Sequence, residues 1–136
     1  MPAIGKIVLD TSVAVAHLRG IQAVTLQLEQ FDTLYLPLIV LGELLHGIRK
    51  STRSQENLAG LRRWLRATTL ISLTEATAEQ YAVIKGDLAR TGTPIPENDI
   101  WIAAHAKELG LSSATRDAHF ERIEGLQILT CCLKSK

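Results

Sequence analysis

Cysteine and aromatic residues are scarce in this sequence. Among its 136 residues only two are cysteines, and 4% are aromatic. The cysteines, Cys131 and Cys132, are adjacent, so a bridge between them would close a strained ring, and no metal-ligand spacing surrounds them. We therefore expect neither a disulfide scaffold nor a structural zinc site. Two thiols are typical of a reducing compartment, which predicts a cytoplasmic protein.

Long hydrophobic runs are also missing. The longest run, residues 34–42, contains Pro37 and is far shorter than the roughly 20 residues that span a bilayer. Near the start of the chain, Asp10 interrupts an apolar stretch that a signal peptide would need to continue. The sequence therefore predicts no membrane span and no targeting segment.

No charge of one sign predominates. The chain has 15 Lys and Arg residues against 14 Asp and Glu residues, a formal net charge of +1, and 46% of its residues are hydrophobic. This balance excludes binding to nucleic acid or to an anionic membrane through bulk charge, and the hydrophobic content excludes a disordered tail. A chain of this size buries about two-thirds of its surface on folding. We therefore expect a single domain over residues 1–136.

Short apolar runs alternate with helical patterns along the chain. Strands are predicted over residues 7–9, 34–36, 70–73, 112–115 and 126–129. Helices are predicted over residues 12–20, 21–31, 54–68, 77–92 and about 97–110. A further helix is predicted to begin after Pro37. Strands that alternate with helices form a parallel sheet covered on both faces, so the sequence predicts an α/β fold.

Local signals indicate where some helices begin and which side they bury. Ser12 can cap the first helix, and Thr77 with Gln80 three residues later matches a capping box. In the helix after Pro37, an apolar stripe is formed by Leu41, Leu44, Leu45 and Ile48. The helix over residues 97–110 is apolar on nearly every side, so we expect it to be buried.

Four carboxylates fall near one end of the predicted sheet. Asp10 follows the first strand, Asp117 follows the fourth, Asp99 begins the helix that leads into the fourth, and Glu43 lies one turn into the helix after the second. In such sheets ligands bind beyond the carboxyl ends of the strands. Carboxylates gathered in a partly buried place raise one another's pKa unless cations compensate. The pattern therefore predicts a divalent metal site that uses all four acids as ligands and catalytic groups.

The donor types indicate which ion and which chemistry. Oxygen ligands without a nearby cysteine are typical of a hard cation, so we expect Mg²⁺, or Mn²⁺, rather than zinc. Such an ion activates water and stabilises the cleavage of a phosphodiester. Short polar side chains next to the acids are predicted to orient the carboxylates, namely Thr11, Ser12, Asn98 and Thr115.

Each of these residues also has a purely structural explanation. Asp10 and Asp99 can each favour a helix N-terminus, Asp117 can belong to a turn, and Glu43 can be a solvated helix residue. Ordinary N-capping explains Ser12 and Asn98 equally well. The histidines lack metal-ligand spacing, so His17, His105 and His119 are expected to be surface or packed residues.

The near-neutral net charge conceals an asymmetry. Residues 49–66 contain six basic residues and one acidic residue, a local charge of +5, which leaves −4 for the rest of the chain. A basic segment of this kind can bind a phosphate backbone in a salt-dependent way. A solvated helix face accounts for it equally well.

Four segments resemble the signature segments of PIN-domain proteins, and in particular those of VapC-type toxins from toxin-antitoxin modules. They are residues 8–12, 42–47, 94–99 and 115–120, which occur in the same order and extend over nearly the whole chain. The resemblance implies one PIN-like domain over residues 1–136. It also implies three layers, with a five-stranded parallel sheet between helices.

The resemblance also implies an activity and partners. It implies a Mg²⁺- or Mn²⁺-dependent endoribonuclease with Asp10, Glu43, Asp99 and Asp117 as the acidic site and Thr115 in support. It further implies a homodimer whose acidic sites face a shared groove, and inhibition by a VapB-type antitoxin. The residues expected to contact either RNA or antitoxin are Arg49, Arg53, Arg62, Arg63, Trp64 and Arg116.

Two other functions stay open at this point. A receiver-like signalling domain is also a small parallel α/β unit with an acidic Mg²⁺ pocket. Thr11 and Ser12, however, follow Asp10 where such a domain has a second acid, and no lysine follows the last strand in the required place. The other alternative is a non-catalytic acidic module that binds a metal or partner without turnover.

Overall fold

The computed structural model describes residues 5–131 and contains a five-stranded sheet. The strands are β1 (Lys6–Leu9), β2 (Thr33–Pro37), β3 (Thr69–Ile71), β4 (Ser113–Thr115) and β5 (Ile128–Thr130). Their order is β3-β2-β1-β4-β5, and every neighbouring pair is parallel. The predicted five-stranded parallel sheet is confirmed. The order differs from the 2-1-3-4-5 order of receiver-like folds, which contradicts that alternative.

Six α-helices and one short 3₁₀ helix connect the described strands. They are α1 (Thr11–Leu18), α2 (Gln22–Leu28), α3 (Leu38–Lys50), α4 (Ser54–Leu65), α5 (Glu75–Thr91), α6 (Glu97–Leu109) and the 3₁₀ helix Ala118–Arg122. From β1 to β3 the chain adds strands toward one edge of the sheet, and from β4 to β5 it adds them toward the other edge. Because the connections are right-handed, this change of direction places α1 to α4 on one face and α5 with α6 on the other. The prediction of helices on both faces is confirmed.

The reversal of direction opens a crevice between β1 and β4. These strands are neighbours in the sheet, with Leu9 aligned with Ala114, but their following connections lead to opposite sides. Crevices of this kind, beyond the carboxyl ends of the strands, are where open α/β sheets bind ligands. Both strands are buried, so the residues that follow them emerge from the core directly into this crevice.

The predicted helix starts are partly wrong. Helix α1 is capped by Asp10, whose side chain accepts a hydrogen bond from the N–H of Val13, and Ser12 lies inside the helix. The capping box of α5 consists of Thr74 and Thr77 rather than Thr77 and Gln80. In both cases the cap is the last residue with an extended backbone, and a polar residue two or three positions further along the sequence suggests a later start.

Burial of the helices largely follows the apolar patterns. Helix α6 is buried along most of its length, from Ile100 to Ala106, as predicted. In α3 the buried residues are Val40 and Leu44, whereas Leu45 is exposed, so the predicted stripe is rotated toward Val40. Cys131 is buried just after β5, and Cys132 lies outside the described residues. None of the described helices has the length and apolar character needed to cross a membrane.

Candidate metal centre

The side chain of Asp10 lies at the bottom of the crevice between β1 and β4. It is only 2% exposed. Its Oδ2 accepts a hydrogen bond of 2.5 Å from Thr115 Oγ1, and its Oδ1 accepts one of 3.0 Å from the Val13 N–H. Ser12 Oγ donates to both oxygens, at 2.8 and 3.0 Å. The residue therefore caps α1 and also presents an oriented carboxylate to the crevice.

The hydroxyl groups of Ser12 and Thr115 are themselves held by backbone N–H groups. Ser12 Oγ accepts from the Arg116 N–H at 2.9 Å, and Thr115 Oγ1 accepts from the Asp117 N–H at 2.9 Å. Each hydroxyl oxygen thus accepts one hydrogen bond from a backbone N–H after β4 and donates its own proton to Asp10. The ends of β1 and β4 are thus joined through two hydroxyl groups and one carboxylate.

Glu43 reaches the site from α3. Its Oε1 accepts a hydrogen bond of 2.6 Å from Thr11 Oγ1, the residue next to Asp10. Thr11 belongs to the first turn of α1, and α1 packs against α3. The Glu43 carboxylate is therefore held at the start of α1 by a hydroxyl group of that helix.

Asp117 and Asp99 face each other on the β4 side, with His119 between them. Asp117 Oδ1 accepts a hydrogen bond of 2.9 Å from the His119 N–H. His119 Nδ1 lies 3.1 Å from Asp117 Oδ1 and 3.8 Å from Asp99 Oδ2. One ligand atom from each of these three residues lies within 4.8 Å of the others, so together they are spaced to hold a metal ion.

The electrostatics show that the four carboxylates act on one another. Burial raises the pKa of Asp10, while hydrogen bonds from Thr115, Val13 and Ser12 oppose this and the charge of Asp117 adds to it. Burial, followed by the charges of Asp10, Asp117 and Glu43, raises the pKa of Asp99 to about 6, and His119 opposes the shift. Without a cation the cluster resists full ionisation.

Two cavities adjoin the acidic cluster. The first, about 370 Å³, is lined by three of the acids, Asp10, Asp99 and Asp117, and by Arg19 and Arg116. The second, about 470 Å³, lies between α1, α3 and α4 and includes Glu43, Arg53 and Arg63 in its lining. Arg19 and Val15 line both cavities. A basic residue that the sequence patterns did not single out, Arg19, therefore stands between them.

The other predicted binding residues lie on α3 and α4 or between them, where Arg53 and Arg63 share a cavity with Glu43 but not with the three aspartates. Arg62 and Arg63 line a shallow cavity along α4, and Arg53 forms an ion pair with Glu56. Trp64 is half-buried and its ring lies 4.6 Å from that of His17. Arg49 is exposed at the end of α3. Of the predicted basic residues only Arg116 shares a cavity with the carboxylates that follow β1 and β4.

Asn98 does not have either of its predicted roles. Its side chain is exposed, and within residues 5–131 no hydrogen bond joins it to any of the four acids. It is not the cap of α6 either, since that position is Pro96 and the helix begins at Glu97. The two prolines before the helix set its start, which leaves Asn98 in the first turn facing solvent.

His119 is the site residue that sequence reasoning missed. The chain has no His-x-x-x-His or similar spacing, so His119 was expected to be a surface or packed residue. The available signal was its place two residues after Asp117, since a 3₁₀ turn there directs the imidazole back toward the aspartate. His17 and His105 are packed residues as expected, His17 being half-buried and His105 buried.

Comparisons with known proteins agree with this geometry. A family model described as PIN domain matches residues 7–126. The chain is 35% identical over 95 residues to the tRNA(fMet)-specific endonuclease VapC of Salmonella typhimurium, covering 69% of this chain and 72% of that protein. It is 29% identical over 125 residues to Ribonuclease VapC2 of Haemophilus influenzae, covering 90% of this chain and 95% of that protein.

Solved structures with the same fold include toxin-antitoxin complexes. The DNA-bound VapBC of Salmonella typhimurium aligns with a TM-score of 0.87 and 28% identity, covering 95% of this chain and 100% of the other. VapBC2 of Rickettsia felis, bound to a DNA fragment from its promoter, aligns with a TM-score of 0.85 and 26% identity, covering 91% and 97%. The similarity therefore extends over nearly the whole fold.

Proposed function

The chain belongs to the PIN domain family, and from this premise we propose that it is a VapC-type toxin, a metal-dependent endoribonuclease that hydrolyses RNA phosphodiester bonds. The observation that carries the proposal is the group of four carboxylates at the crevice, with Asp10 held by Ser12, Val13 and Thr115. The names of the similar proteins, ribonuclease and endonuclease, support the same activity.

The residues of the cluster fit a divalent cation. Asp10, Glu43, Asp99 and Asp117 offer oxygen ligands, and burial followed by neighbouring carboxylates raises the pKa of Asp10 and Asp99, a cost that a bound cation would offset. A bound Mg²⁺ or Mn²⁺ would supply an activated water and positive charge for the phosphodiester. We propose these four acids as the ligands.

The protein's own residues prepare this site before an ion binds. Thr115 and Ser12 direct their protons at Asp10, which keeps that carboxylate in one orientation, and Thr11 does the same for Glu43. Arg19 and Arg116 line the cavity beside the acids. We propose that they bind the phosphates that flank the cleaved bond, because guanidinium groups pair with phosphate oxygens in a bidentate way.

We also propose a VapB-type antitoxin and a homodimer as the chain's partners. The similar structures are VapBC complexes, and the second cavity places Arg53 and Arg63 near Glu43. An extended antitoxin segment lying there would reach the acidic cluster and block it. Of the predicted basic residues, Arg53 and Arg63 are therefore assigned to antitoxin and Arg116 to RNA.

Metal-dependent RNA cleavage is the test of the proposed function. The purified chain, free of antitoxin, is expected to cut RNA in Mn²⁺ or Mg²⁺ and to stop in excess EDTA, with activity restored when the ion is added back. Sequencing of RNA 5′ ends then locates the cleaved bonds. Metal binding without cleavage of any RNA would instead favour a non-catalytic binding module, and cleavage that persists in EDTA would contradict the metal site.

Thr115→Val is expected to weaken metal binding and RNA cleavage by about 10- to 100-fold, the usual cost of losing a group that orients a ligand. Valine keeps the shape but removes the hydroxyl that donates to Asp10 and accepts from the Asp117 N–H. The free energy of unfolding should also fall by about 1–3 kcal/mol, because the buried Asp10 carboxylate and the part-buried Asp117 N–H each lose a hydrogen-bond partner. Thr115→Ser, which keeps the hydroxyl, is the control and should stay within a few-fold of wild type. Full activity of the valine variant would contradict this role.

A further inference from the structure

The imidazole of His119 faces the acidic cluster without a hydrogen bond. Its Nδ1 is shielded from solvent and has no hydrogen-bond partner in the described structure, although two carboxylates lie within 4 Å of it. Buried polar atoms in native proteins are normally paired. An unpaired imidazole nitrogen directed at two carboxylates is therefore an observation that calls for a ligand.

The distances around Nδ1 match those between ligands of one small ion. With metal–ligand bonds of about 2.1 Å, neighbouring ligand atoms of an octahedron are about 3 Å apart and opposite ones about 4.2 Å apart. His119 Nδ1 is 3.1 Å from Asp117 Oδ1 and 3.8 Å from Asp99 Oδ2. Both distances from Nδ1 thus fall within the range of one coordination shell, and the three ligand atoms lie within 4.8 Å of one another.

The backbone around His119 is already positioned for this role. Its N–H donates to Asp117 Oδ1 at 2.9 Å, and the next residue, Phe120, is fully buried. The 3₁₀ turn is thereby anchored on both sides of the imidazole. Little conformational freedom has to be lost when the ring binds an ion, which favours binding.

We propose that His119 is a direct ligand of the divalent ion, through Nδ1, together with Asp99 and Asp117. This inference rests on the proposed metal-dependent function and deepens it, because it alters which ion the site prefers. Mg²⁺ binds oxygen ligands almost exclusively, whereas Mn²⁺ and the later transition metals accept imidazole nitrogen. The chain should therefore bind Mn²⁺ more tightly than Mg²⁺, and His119 should be the source of the difference.

Electron spin echo spectroscopy of the Mn²⁺-loaded wild-type chain tests the ligand directly, without relying on activity. Coupling of the Mn²⁺ electron spin to one imidazole ¹⁴N is expected in wild type and should disappear in His119→Gln. The matched control is His46→Gln, an exposed histidine on α3, in which the coupling should remain. Circular dichroism checks that both variants are folded.

Calorimetric titration with each ion provides the second readout. His119→Gln should lower the affinity for Mn²⁺ by about 10-fold and the affinity for Mg²⁺ by less than about 3-fold. The preference of the site for Mn²⁺ over Mg²⁺ should therefore decrease. Equal losses for the two ions would overturn the proposal, and so would wild-type spectra without ¹⁴N coupling. If the wild-type spectra lack ¹⁴N coupling but the chain still binds the ion and cleaves RNA, the nuclease proposal is unaffected. If the wild type binds neither ion, both proposals fail together.

Discussion

Asp10→Asn is expected to lower the rate of RNA cleavage by at least about 100-fold while the chain stays folded. Loss of a group that only orients a metal ligand already costs about 10- to 100-fold, and Asp10 is proposed as a ligand itself. It is also the carboxylate on which the hydroxyl groups of Ser12 and Thr115 converge. An amide is a weaker ligand than a carboxylate and does not neutralise the ion's charge.

The stability of the same variant distinguishes lost chemistry from lost structure. Asn removes the cost of burying an ionised group but weakens the hydrogen bonds to Val13 and Thr115, so the free energy of unfolding should stay within about 1 kcal/mol of wild type. Urea denaturation measures this, and gel assays of RNA cleavage measure the rate. Asp32→Asn, an exposed residue before β2, is the matched control and should cleave normally. An Asp10→Asn chain as active as wild type would contradict the proposed site.

Asp99→Asn is expected to stabilise the metal-free protein at neutral pH. In the folded chain the pKa of Asp99 is raised from 3.8 to about 6, first by burial and then by Asp10, Asp117 and Glu43. Above pH 6 the folded state therefore holds an ionised carboxylate in an unfavourable place, at a cost of roughly 2–3 kcal/mol. The asparagine variant avoids this cost and should be more stable by a similar amount.

The sign of the pH dependence follows from the direction of the shift. Well below pH 3.8, the ordinary pKa of this carboxyl, Asp99 is protonated in both states, so the variant and wild type should be nearly equal. Between that pH and about 6 the unfolded chain releases the proton first, so wild type loses stability as the pH rises. Urea denaturation in EDTA at about pH 3 and pH 8 measures the difference, with Asp32→Asn as the control.

Added Mn²⁺ should reverse the order of stability. The ion binds the folded wild type and stabilises it by mass action, whereas Asp99→Asn has lost a ligand and gains less. If Asp99→Asn is no more stable than wild type in EDTA at pH 8, the ionised Asp99 carboxylate does not destabilise the folded chain, which would contradict the prediction. The two predictions together describe a site whose stability cost is offset only when a cation binds.

Much of the site follows from local sequence logic. Asp10 and Asp117 follow apolar runs in the sequence, and the structure places both at the β1–β4 crevice. Glu43 and Asp99 were found from their places near helix starts, and their charges act on the same cluster. The acids near strand ends could be predicted because all parallel strands present their carboxyl ends to one edge of the sheet.

Predictions failed where several polar residues competed for one role. Asp10 and Ser12 both satisfy a capping rule, and the cap of α1 is Asp10. Asn98 and Thr77 also satisfy one, yet the caps of α6 and α5 are Pro96 and Thr74. A capping rule uses three or four residues, and the choice among neighbours depends on where packing turns the backbone from extended to helical. His119 escaped notice for a similar reason, because the turn that directs it toward Asp117 is not visible as a ligand spacing.

The sequence by itself determined most of the segments that become strands and helices and which acids stand at their ends. Only the tertiary structure decided how the site is held, since Thr115 Oγ1 reaches Asp10 from 105 residues away. That contact depends on the parallel register that aligns Leu9 with Ala114. The register is set by how both buried faces of the sheet pack. The packing energy that selects it is summed over the whole core and does not come from any short segment.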